Sequence, residues 1–105
     1  MRLLESFTKH PSESYTKGIN YAGLLPAGAA IASVSATATD TMTGADASAT
    51  VLGSPSFSGD EALIPVQAGT DGRDYLITFL LTLDNSNVVA DQILMQVRRT
   101  DILGA

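Results

Sequence analysis

AGTDGRDYLITFLLTL, residues 68–83, is the stretch that decides the fold. Gly69 and Gly72 supply the positive backbone angles of a tight turn. Tyr75, Ile77, Phe79, Leu81 and Leu83 then recur at every second position. Leu76, Thr78, Leu80 and Thr82 form the opposite face. Strict period two over nine residues is a strand signal, and two largely apolar faces predict a central strand covered on both sides.

The neighbouring stretches repeat the pattern. After a DNSN turn at 84–87, residues 88–99 alternate Ile93, Met95 and Val97 against Gln92, Leu94, Gln96 and Arg98. Upstream, AAIASVSATATD (29–40) places Ala30, Ala32, Val34, Ala36 and Ala38 on one face. Ile31, Ser33, Ser35, Thr37 and Thr39 take the other. Ala favours helices, but the interleaved β-branched and hydroxyl residues favour a strand. Its small side chains imply close packing or a thin place in the core.

Residues 13–25 put Tyr15, Lys17, Ile19 and Tyr21 on one side of an extended chain, with Gly18 as a weak point. Residues 49–59 read as a weak strand broken by Gly53 and Pro55. Residues 61–68 align Ala62, Ile64 and Val66, and Pro65 predicts an edge strand or a bulge because it donates no ladder hydrogen bond. Roughly six or seven strands at this spacing predict an all-β sandwich.

The flanks read differently. Residues 1–12 form an N-terminal arm in which Leu3, Leu4 and Phe7 share a face if helical. A lone short helix is marginal in water, so the arm orders by docking on the domain or on a neighbour. Residues 13–100 form the sandwich domain and 101–105 a tail carrying Ile102 and Leu103. Leu3, Leu4, Phe7, Ile102 and Leu103 are therefore the candidate protein-interface residues.

Composition narrows the function. The chain has 105 residues, a size that suits one domain with one modest core. Its net charge of −5 argues against nucleic acid. Cysteine is absent, which removes disulfides and thiolate chemistry and fits a reducing compartment. MRLLESFTKHP lacks the apolar core of a secretory signal, and no apolar run reaches the length of a membrane span.

Catalytic and metal motifs are equally sparse. His10, the sole histidine, stands in the arm, and as a catalytic base it would need a partner and a pocket. Asp40, Asp46, Asp60 and Glu61 lie near turns without the ordered spacing of a Ca²⁺ loop. Asp71, Arg73 and Asp74 suggest a local ion pair in a turn. No nucleophile elbow, phosphate loop or dinucleotide fingerprint occurs. Tyr75 alternates with core residues and reads as a core tyrosine. The reading is a non-enzyme with no cofactor and no metal.

The order of weak motifs carries more than any one of them. Pro11 and Glu13, then Leu25, Gly28, Ile31 and Ser33, then Gly69, Gly72, Tyr75, Ile77 and Thr78 follow in sequence. In this order the chain resembles small tailed-phage virion proteins of the fibre-tail adaptor type. In that group the first segment reads DPxExxDY; here His10 stands for its Asp, and Lys17 falls where its Tyr does. The resemblance implies an Ig-like β-sandwich that joins tail, neck or fibre components in multiple copies. It implies other virion proteins as partners, a homo-oligomer or ring in the particle, and synthesis in the bacterial host cytoplasm. Two alternatives are a capsid decoration protein and a cellular carbohydrate-binding or adhesion module.

Overall fold

The computed structural model describes residues 2–21, 25 and 29–99. They form seven strands and one helical turn: β1 (Arg2–Lys9), β2 (Tyr15–Asn20), β3 (Ile31–Asp40), α1 (Ser48–Val51), β4 (Ser56–Ser58), β5 (Glu61–Val66), β6 (Asp74–Leu83) and β7 (Val88–Val97). Two sheets result. One has the order β1-β7-β6-β3 and the other β2-β5-β4. The all-β sandwich expected from the alternation is the fold. The strand order is compatible with an Ig-like arrangement in which the first strand joins the edge beside the last.

The core lies between the sheets. Tyr75, Ile77, Phe79, Leu81 and Leu83 of β6 are buried, with Ile93, Met95 and Val97 of β7 beside them. Ile19, Ala62, Ile64 and Val66 come from the smaller sheet. Tyr21 closes the layer, its ring edge-on to Phe79 at 6.2 Å.

The 84–87 turn closes the β6–β7 hairpin, with Leu83 N donating to Asn87 O. The turn is also tied to the start of β3. Asp84 N donates to Ala30 O, and Ala30 N donates to Asp84 Oδ1.

Four features differ from the sequence reading. First, β6 is central in its sheet but covered on one face only. Leu76, Thr78 and Thr82 are half-buried and Leu80 is exposed, because no described element lies over them. Second, a register shift between Ile31 and Ser33 reverses the alternation of β3, so Ile31 joins Val34, Ala36 and Ala38 on the core face. Third, the thin Ala stripe is filled by α1, within the stretch read as a weak strand. Ala47 N donates to Ala38 O, Ala38 N donates to Ser48 Oγ, and Val51 is buried. Fourth, β5 is the middle strand of its sheet, not an edge. Pro65 is tolerated because its carbonyl faces away from β2 and accepts from Gly53 N beyond the end of β4. No ladder partner there needs its missing N–H.

Candidate assembly surfaces

Residues 2–9, read as an arm with a helical face, form an edge strand. β1 pairs in parallel with β7, from Arg2 opposite Asp91 to Lys9 opposite Val97. A bulge between Leu3 and Glu5 breaks the alternation. Leu4 and Phe7 therefore pack on the chain's own core, whereas Leu3 stands out at 56% exposure. The seam with β2 is closed by Phe7 against Tyr15 at 6.5 Å and by Lys17, which lies over the Phe7 ring and pairs with Glu5 at 3.3 Å. Ile102 and Leu103 lie outside the described residues.

β1 ends on a buried lysine. Lys9 has no exposed surface, yet its Nζ donates to His10 O at 2.9 Å and to Ala68 O at 2.6 Å. Burial lowers its pKa, partly offset by the Glu13 charge. The lysine thus clips the first strand to the bend at Ala68–Gly69, where both residues have positive φ. A second buried polar link joins the two sheets. Tyr21 Oη, just past β2, donates to Asp91 Oδ2 of β7 at 2.5 Å. Nothing in the spacing of Lys9, or of Tyr21 and Asp91, marks these contacts in the sequence; each depends on which strands become neighbours.

The residues with chemical potential are held in turns. Ser12 N donates to His10 Nδ1, and His10 N donates to Glu13 Oε1. Asp46 Oδ1 accepts from the backbone and hydroxyl of Ser48, which lower its pKa. Asp71, Arg73 and Asp74 do not pair among themselves. Each reaches another segment: Arg73 to Asp40 of β3, Asp74 to Arg98, and Asp71 to the Arg99 N–H. Asp40 also accepts from Met42 N, the main cause of its lowered pKa, with Arg73 assisting. Tyr75 is buried as expected, and its hydroxyl accepts from Thr70 N. These contacts stabilise strand ends and assemble no nucleophile with a base. Among the described residues no three His, Cys, Asp or Glu are grouped to hold a metal, and no ligand-sized cavity forms. No described helix is long and apolar enough to cross a membrane.

What remains is the outward face of the four-stranded sheet. Register stacks its side chains in rows across the strands. Thr39, Leu76, Leu94 and Ser6 make one row. Thr37, Thr78, Gln92 and Leu3 make the next. Ser35, Leu80 and Ala90 follow, then Ser33, Thr82 and Val88. Among its described side chains the charges on this face are Asp74 and Arg98 at its upper rim, paired at 2.6 Å. Leu80 and Val88 are 42% and 60% exposed. The alternation of β6 displayed its largely apolar second face in the sequence, but that face read as a second buried side.

Comparison with curated proteins gave no match. Comparison with protein families matched residues 9–96 to the podophage GP4 fiber-tail adaptor protein gp77. That span runs from the last residue of β1 through almost all of β7 and so contains both sheets apart from β1. The chain belongs to the podophage GP4 fiber-tail adaptor protein gp77 family, and its role is that of a structural component of a phage tail.

Proposed function

We propose that this chain is a connector that joins tail, neck or fibre components of the particle and is present there in multiple copies. It is made in the host cytoplasm and works through protein surfaces, with no cofactor, nucleic acid or membrane. The observation that carries the reading is the use made of the reactive side chains. His10, Asp40, Asp46, Asp71, Arg73 and Asp74 each hold a turn or a strand end, and the described side chains of the outward sheet face left over are neutral apart from the paired Asp74 and Arg98. Such a sandwich is suited to contact over area and unsuited to bond chemistry.

Leu3 is the terminal residue best placed to meet a neighbour, and Ile102 and Leu103 are proposed to do so from the other end of the chain. The test is to locate the chain in purified particles by cryo-electron microscopy, with copy number from quantitative mass spectrometry. Density between tail and fibre in several copies is expected. Density on the head surface, or fibres that attach fully without this chain, would refute the connector role.

A further inference from the structure

We propose that the outward face of the β1-β7-β6-β3 sheet is where two copies of this chain pack back to back. The inference rests on the multi-copy reading above and assigns a surface to it.

Charge selects the occupant. The chain carries 11 acidic and 6 basic residues, so two copies carry like net charge and repel on approach. On this face the acidic excess is absent, because Asp74 is neutralised by Arg98 at the rim. Among its described side chains the face also offers no unpaired charge by which to select a strongly charged partner. A second copy of the same sheet is thus the partner whose approach this surface favours.

Area is sufficient. Four strands about 4.8 Å apart, each contributing about nine residues at 3.4 Å, make a footprint of about 600 Å². Two such footprints remove about 1,200 Å² from water, at the lower bound of stable specific interfaces. Leu3, Leu76, Leu80, Val88, Ala90 and Leu94 provide the apolar contacts. The polar groups between them are neutral, and one pair is already mutually bonded, Gln92 Nε2 donating to Thr78 Oγ1 at 3.3 Å. Desolvation leaves that bond in place. Sheets packed face to face settle about 10 Å apart, and a twofold axis makes the contact self-complementary.

The test is sedimentation velocity of the full chain from about 1 to 200 µM, the range in which an interface of this size associates. A concentration-dependent dimer, or a larger even assembly, is expected. Leu80→Glu and Val88→Glu each bury a carboxylate in the apolar contact and should weaken association at least about tenfold. Both positions are exposed, so the variants should keep the wild-type circular dichroism. Phe57→Glu, exposed on the other sheet, should associate like wild type.

A wild-type chain that stays monomeric throughout overturns the inference. So does association that survives both face variants. Monomeric protein whose Leu80→Glu form fails to enter particles also overturns it, and gives the face to a different virion protein. None of these results touches the connector reading, which fails on where the chain lies in the particle or on fibres that attach without it.

Discussion

Replacing Tyr21 by Phe removes one oxygen and leaves the ring against Phe79 in place. The lost interaction is the 2.5 Å hydrogen bond to Asp91, whose carboxylate is buried in β7. Hydrogen bonds to charged groups contribute about 1.5–3 kcal/mol, twice a neutral one. Burial excludes water as a substitute partner, so about 2 kcal/mol is expected. For a domain of this size that lowers Tm by about 8–16 °C. Urea titration followed by circular dichroism measures the change directly, with the slope held constant as a check on two-state unfolding. The companion variant Asp91→Asn separates charge from shape. In that background Tyr21→Phe should cost about 1 kcal/mol, the value for a neutral bond. If Tyr21→Phe alone shifts stability by less than about 0.5 kcal/mol, the cross-sheet link is not a stabilising contact and the argument is wrong.

Asp40→Asn should flatten the acid limb of the stability profile. The folded-state pKa of Asp40 lies below its ordinary 3.8, so its stabilisation is present above that value and lost as pH falls through the folded pKa. Urea midpoints of the variant should converge on wild type as pH falls below about 3.8 and the carboxylate protonates. Gly69→Ala should destabilise by about 2–3 kcal/mol, because φ is +96° and the new Cβ would meet Val97 Cγ2 at 2.7 Å. Gly72→Ala shares the positive φ but has open space, so thermal unfolding should show a loss of only about 1–2 kcal/mol. Deleting residues 1–9 should strip the edge of β7 and lower Tm sharply, with aggregation on heating visible by light scattering. A truncated chain as stable as the full one would show that β1 is a dispensable appendage.

The architecture was legible where one face of a strand is buried and the other is not. β6, β7 and β2 carry that pattern openly in Tyr75–Leu83, Ile93–Val97 and Ile19–Tyr21. The features that escaped are those where pairing overrides pattern. β1 shows no alternation because it lies at an edge, is bulged at Leu4, and buries a lysine. The bulge beside Ala32 moves Ile31 to the core face, which no period-two reading anticipates. Pro65 predicts an edge only if every side of the strand needs donors, and β4 stops short of it. The second face of β6 could be read as apolar, but whether another layer covers it is a property of the whole chain. Of the candidate interface residues, Leu3 is exposed, while Leu4 and Phe7 are used internally.

The parallel ladder between β1 and β7 has a mechanical meaning. Arg2 sits beside Asp91 at one end of the sheet edge, and Lys9 sits beside Val97 at the other. Tension between the two ends of the described chain therefore slides one strand along its neighbour. It cannot peel them apart one bond at a time. The rungs of the ladder carry such a load together, and the Lys9 clip to Ala68 resists the same displacement. Under force the relevant quantity is the unfolding rate, and shear loading is the geometry that keeps it low. A structural tail component that bears such a load gains from having its first and last described strands arranged this way.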